Sequence, residues 1–279
     1  MPRLAIVSVH YYPHCCEASL RELSRLAALA PPAYCVLVNN NPLLQDRLLG
    51  LAGRHAFIDA VEQHNNSGHE FGAYQHGLNQ VLSHGEFDWV LFLNDTVVTH
   101  QLFCSRHRKT LASYLTDPVS HEAPAAVGSL ETLPRPYCIE GARSHRWITT
   151  NIFALNRQAL EVLNGRVHHP EIDGLIRTVG DVDSFFADDL DDALKNHLKA
   201  WLFGALPGSS WREAAPLTAS NAGHFADKAR SILQEKYLSA LLEEGRTGFM
   251  NLRRMDPFDR VRCRAEQIVF DIRKSLGQA

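Results

Sequence analysis

Apolar and polar positions along the chain switch repeatedly between short solid runs and helical spacing. Leu4 to Val9 is a short apolar run ending in His10-Tyr11-Tyr12-Pro13, so it reads as a first strand followed by a loop. Between Glu17 and Ala30, the residues Leu20, Leu23, Leu26, Ala27 and Ala30 recur at helical spacing, and Pro31-Pro32 ends the helix. Tyr34 to Val38 is a second buried strand, Leu43 to Leu51 a second helix closed by Gly53, and His55 to Ile58 a short third strand. A polar loop, His64 to Gly72, leads into a helix from about Glu70 to Ser83. The alternation calls for a mostly parallel sheet with helices on its faces.

The densest run follows, within Asp88 to His100. Trp89 to Leu93 is apolar throughout, as expected of a strand buried on both faces, and it stops at Asn94-Asp95-Thr96. Ligands of open α/β sheets bind beyond the carboxyl ends of the strands, so Asn94 and Asp95 are candidate site residues. Capping of the next turn is the competing explanation. Farther on, Leu102 to Leu115 reads as helix, Asp117 to Ala125 as loop and Ala126 to Leu130 as strand. Leu133 to Arg146 reads as an irregular loop carrying Arg135, Arg143 and Arg146, and Trp147 to Leu155 as a β-branched and aromatic strand. A helix over Asn156 to Leu163 stops at Asn164-Gly165. Val179 to Asp183 is expected to open another, running toward Ala200, with Asp181 and Asp183 at its start.

Composition narrows the function. The chain has 279 residues, 45% of them hydrophobic and 21% charged, which suits one large α/β domain or two small ones. A formal net charge of -3 argues against a general nucleic-acid binder. The six cysteines have no CxxC pair or repeated spacing, so neither a zinc knuckle nor a disulfide framework is expected and a reducing cytoplasm fits best. No secretory leader or membrane span is expected. In the polar loop, Gly68 and Gly72 permit close backbone approach, and free N–H groups at a helix start favour an anion such as a diphosphate. An ordinary Asn/Gly turn explains the same residues. His168-His169 is no metal pair, because neighbouring side chains on an extended segment point apart.

Taken in order, these segments resemble the family 2 type glycosyltransferases of GT-A fold, over about residues 4 to 225. Asn39, at the end of the second strand, stands where the family has an Asp facing the nucleobase. Asn66-Ser67-Gly68 with Gly72 looks like the family's Asn-x-Gly loop along the nucleotide, and Asn94-Asp95-Thr96 like its acidic triplet, which holds a divalent metal on the donor diphosphate. Gly180-Asp181-Val182-Asp183 resembles the element that supplies the catalytic base, with Asp181 the candidate and Asp183 its substitute if the register is shifted. His224 resembles a late histidine that can complete the metal site, with Asp95 the other ligand the resemblance implies. Asn39 replaces an Asp, Gly180 replaces a Glu, and the triplet has one carboxylate where two are usual.

The resemblance implies an α/β, Rossmann-like GT-A domain over residues 1–226 and a C-terminal helical extension over 227–279. It implies inverting transfer from a nucleotide-sugar donor to a cell-surface polysaccharide or lipid-linked oligosaccharide, aided by Mn²⁺ or Mg²⁺. A degenerate sugar-nucleotide-binding module and a sugar nucleotidyltransferase are the alternatives; the latter lacks its glycine-rich basic loop here. In the tail, Arg246, Arg253, Arg254, Arg260, Arg262, Arg264, Arg273 and Lys274 interleave with Phe258, Val261, Ile268, Val269, Ile272 and Leu276. Such a helix suits either the inner face of the plasma membrane or packing against the domain or a second subunit.

Overall fold

The computed structural model describes residues 2–98, 103–117, 122–204, 211 and 213–275. Thr99, His100, Leu102, Leu276 and positions 118–121 of the expected loop lie outside the described residues. Seven strands form one sheet: β1 (Leu4–His10), β2 (Tyr34–Asn39), β3 (Ala60–Gln63), β4 (Trp89–Asn94), β5 (Ala125–Ile139), β6 (Ala142–Asn156) and β7 (Gly248–Asn251). Their order is β3-β2-β1-β4-β6-β5-β7. Only β6 runs against its neighbours, so the sheet is mostly parallel, as expected from the alternation of strands and helices.

Helices cover both faces. α1 (Cys16–Leu29) and α2 (Gln45–Ala52) share one core with the sheet, built on Leu20, Leu23, Leu48, Trp89 and Leu91. On the other face, α3 (His69–His84) packs Phe71, Tyr74 and Leu78 against Phe92 and Phe153. The Phe92 and Phe153 rings stack at 4.8 Å, and the Tyr74 ring meets each of them edge-on. Burying each such ring contributes roughly 1.5–3 kcal/mol, which keeps α3 seated over the centre of the sheet. α4 (Ser105–Thr116) joins the first face and α5 (Arg157–Val162) the second. Beyond the sheet, α6 (Asp192–Phe203) and α7 (Ala222–Glu244) close a third cluster with Phe185, Leu198, Phe225 and Leu233.

The solid apolar runs became strands where expected, and four readings change. The third strand is Ala60–Gln63, because His55 to Ile58 folds into turns whose Asp59 carboxylate accepts the Cys35 amide. Leu133 to Arg146 is the distal part of a long hairpin rather than a loop. Glu140 and Gly141, at φ 49° and 86°, make its two-residue turn, while Pro134 and Pro136 fall where pairing lapses between Thr132 and Tyr137. Val179 to Asp183 opens no helix: Asp181 caps a turn, and α6 begins only at Asp192, where the Asp191 side chain accepts the Leu194 amide. Finally, Cys104 and Cys263 form a disulfide, Cα atoms 5.8 Å apart, across 159 residues of sequence. It runs against the expectation of unpaired thiols in a reducing compartment, since disulfides persist chiefly where conditions are oxidising. The other four cysteines, Cys15, Cys16, Cys35 and Cys138, form no disulfide.

Residue 226 lies inside α7, which packs on β6, and β7 then closes the sheet beside β5. The last helix, α8 (Pro257–Ser275), stands on α4. No helix among the described residues is long and apolar enough to cross a membrane.

Candidate functional site

The strand order reverses between β1 and β4, and the parallel registers bring the carboxyl ends of β1, β2 and β4 level. His10 lies beside Asn39, and Val9 beside both Val38 and Asn94. A crevice at such a reversal is where open α/β sheets bind ligands. Asp95, 2% exposed, spans it: its Oδ2 accepts the backbone amides of Tyr11 at 2.8 Å and Tyr12 at 2.6 Å. Burial nevertheless raises its carboxyl from 3.8 to about 6, outweighing the amide contacts that lower it. Asn94 Nδ2 donates to Glu70 Oε2 at 3.0 Å, while its Oδ1 accepts from the Thr96 amide and hydroxyl. Capping of the following turn and a place in the site therefore coexist at Asn94.

Glu70 opens α3 and is half-buried, and burial raises its pKa; the charge of Lys228 on α7 opposes that rise. Glu235, also on α7, is raised by burial too, with Lys236, the Thr150 contacts and Lys228 opposing. Its Oε2 accepts the Thr150 amide at 2.8 Å and the Thr150 hydroxyl at 3.0 Å, from β6. Tyr74, whose hydroxyl donates to the Thr150 carbonyl at 2.7 Å, is pushed well above its ordinary pKa by burial and then by Glu70, Asp95 and Glu235. Three carboxylates thus act on one buried phenol. Glu70 and Glu235 escaped the sequence reading: Glu70 passed for a helix-start residue, and nothing in the apolar pattern of α7 singles out Glu235.

The glycine-bearing loop borders the same edge. Asn66, Gly68 and His69 all have left-handed backbone, at φ 62°, 68° and 53°. Asn40 fastens the loop: its Nδ2 donates to Asn66 Oδ1 at 2.7 Å and to the His69 carbonyl at 3.1 Å. Gly68 lies against the His168 ring and Gly72 against the Ser67 carbonyl, where a Cβ would collide in each case. The residue before α3 is Gly68, which has no side chain to cap it, and the His69 amide donates to the Asn66 carbonyl at 3.1 Å. Asn39 is fully buried, with Nδ2 donating to Gln45 and Gln63 and Oδ1 accepting from the Asn41 amide. It holds the end of β2 in place.

The remaining candidates have other partners. Asp181 is exposed, and its Oδ2 accepts from the Ser184 amide at 3.0 Å and hydroxyl at 2.6 Å, contacts that lower its pKa. Asp183 pairs with Lys199 at 3.3 Å. His224 Nε2 lies 3.0 Å from Glu213, and its ring stacks on Trp211. None of these contacts joins the three residues to Asn94 or Asp95. With Asp95 Oδ2 and Asn94 Oδ1 both occupied, the donor set does not fit a cation held by protein alone, and no group of three or more His, Cys, Asp or Glu among the described residues is arranged to hold one.

No protein-family model matches the chain, and no curated protein matches it. Among solved structures it is similar to the mannosyltransferase PcManGT from Pyrobaculum calidifontis in complex with GDP-Man and Mn2+, at 15% identity over 88% of this chain and 74% of that one, TM-score 0.38. It is also similar to the TarS fragment 1–349 of S. aureus, at 11% identity over 61% of this chain and 50% of that one, TM-score 0.35. A chain of the Euglena gracilis mitochondrial ATP synthase follows, at 10% identity over 88% and 64%, TM-score 0.27.

Proposed function

We propose that this chain is a glycosyltransferase that binds a nucleotide-sugar at the crevice between β1 and β4 and transfers the sugar, with inversion, to a glycan or lipid-linked oligosaccharide of the cell surface. The observation that carries the reading is Asp95, buried at the end of β4 and clamped to the amides of Tyr11 and Tyr12, next to Asn94, which holds the Glu70 carboxylate within the field of Lys228. The nature of the acceptor follows from the family resemblance alone.

Inverting transfer needs a base for the acceptor hydroxyl and positive groups for the departing diphosphate. Asp181, the candidate by resemblance, is exposed and its pKa lowered, which makes it a weak base. Glu70, held toward the crevice by Asn94 and raised by burial, is the stronger one. The first-turn amides of α3 and the Lys228 ammonium are the groups suited to the diphosphate. No step is routed through a metal ion, because Asp95 Oδ2 and Asn94 Oδ1 are already engaged and the protein groups alone would not hold one. The same depleted donor set favours one second reading, a sugar-nucleotide-binding module without turnover.

Calorimetric titration with UDP, GDP, CDP and dTDP, each with and without Mn²⁺, tests this. Tight binding of one nucleotide, weakened by Asp95→Asn, is expected. Binding of none overturns the reading. Binding without release of nucleotide from the matching donors, across a panel of glycan acceptors, favours the module.

A further inference from the structure

Among the described residues, the side-chain contacts that tie helix α8 to α4 lie along one side. Asp259 pairs with Arg106 at 2.8 Å, Cys263 is bonded to Cys104, and Glu266 accepts the Ser105 amide at 2.9 Å. Spaced four and three residues apart, these anchors form one stripe facing α4. Phe258, Val261, Ala265, Ile268 and Ile272, also at alternating spacings of three and four, form the opposite stripe. Phe258 is 89% exposed, Val261 70%, Ile268 55% and Ile272 53%, with Val269 beside them at 49%. No other element of the described surface gathers so many large exposed apolar side chains.

Charge is partly sorted along with it, although Asp271 falls by sequence spacing on the flank of Arg260 and Arg264. The acidic residues Asp259 and Glu266 face α4 and are engaged there, with Arg262 also 3.8 Å from Glu266. Arg260, Arg262 and Arg264 are exposed, the first and third on one flank of the apolar stripe and the second on the other; Arg254 is exposed just ahead of the helix, where Arg253 is paired with Glu131. An apolar stripe flanked by Arg260 and Arg264 on one side and Arg262 on the other matches an anionic lipid surface, where acyl chains take the stripe and headgroup phosphates the guanidinium groups. A second copy fits less well, since stripe-to-stripe packing sets the flanking arginines of both copies against each other.

We propose that α8 docks the protein on an anionic phospholipid surface, lying in the interface rather than crossing it. The inference is independent of the sugar-transfer reading, because its residues lie outside the crevice. Sedimentation of the full, disulfide-bonded chain with vesicles of mixed phosphatidylserine and phosphatidylcholine, and of phosphatidylcholine alone, is the test. Binding to the anionic vesicles only, weakened by salt and reduced about tenfold or more by the triple variant Phe258→Ser, Val261→Ser, Ile268→Ser, is expected. Arg260→Gln, Arg262→Gln, Arg264→Gln should reduce it comparably, with unchanged thermal unfolding in both triple variants because every altered side chain is exposed. Absence of wild-type binding, equal binding to both vesicles, or binding that neither variant weakens overturns the proposal. So does a dimer that the serine variant dissolves while vesicle binding is nil.

Discussion

Glu70 and Asn94 meet at the carboxyl edge of the sheet: the Asn94 side-chain amide donates to the Glu70 carboxylate at 3.0 Å and ties the first turn of α3 to the last residue of β4. The bond orients a carboxylate whose pKa burial has already raised. Orientation and basicity thus arise from one piece of packing, the seating of α3 over the aromatic cluster of Phe92 and Phe153.

Glu70→Gln keeps an acceptor for Asn94 and removes the base. Turnover is expected to fall about 100-fold or more while nucleotide affinity stays near wild type. Asp181→Asn should leave turnover close to wild type. Loss of turnover in Asp181→Asn with activity intact in Glu70→Gln would move the base to the turn at 180–184. Nucleotide release in a single-turnover assay reads both variants.

Asp95 sets a pH dependence of stability. Its folded pKa of about 6 lies above the usual 3.8, so the native state holds the proton more tightly and its stability falls as pH rises between those values. Above pH 6 the full cost, about 3 kcal/mol, is present. Asp95→Asn should show no such slope. Urea unfolding of both proteins from pH 4 to 8 should show the variant gaining on wild type as pH rises to 6 and then running parallel. A difference that does not change with pH would mean that Asp95 is not buried as described.

Gly68→Ala should destabilise by about 1–3 kcal/mol, because alanine must adopt a left-handed φ and meet the His168 ring. Adding His168→Ala relieves the collision and leaves the backbone cost, so the double variant should recover only part of the loss. Complete recovery in thermal unfolding would show that φ at Gly68 carries no strain.

Lys236 is 1% exposed, with its ammonium 3.0 Å from the centroid of the Trp147 ring, and burial lowers its pKa from 10.5 to about 7 against the pull of Glu235 and Glu131. Between those values the unfolded chain binds the extra proton, so stability rises with pH from 7 toward 10.5. Lys236→Met should flatten that rise, its melting temperature comparing best with wild type at pH 7 or below. A wild-type melting temperature that does not rise between pH 7 and 9.5 would contradict the burial of this charge.

Legibility in the sequence tracked burial on both faces. β1, β2 and β4 are central and parallel, so each is a nearly continuous apolar run that stops at its polar end, and Asn94-Asp95 was visible for that reason. β3 is an edge strand, half-buried and polar at Glu62 and Gln63, and its neighbours His55 to Ile58 imitate it better than it presents itself. The distal hairpin was hidden by Pro134 and Pro136, and by a turn whose first left-handed residue is Glu140 rather than Asn or Gly. Glu70, Glu235 and Lys228 become a group only when α3 and α7 pack side by side, a relation across 165 residues that no local spacing encodes. Asp181 drew notice because acidic residues at an expected helix start resemble a motif, yet the chain there turns instead of winding.

The bond between Cys104 and Cys263 bears on how the protein is handled. Asp95 is held by the β1 loop, and Cys104, nine positions later, is held by α8. A thiol reductant severs the second of these holds while touching no residue of the crevice. Preparations with and without reductant are therefore different chemical species, and both activity and vesicle binding are properties of a stated thiol state.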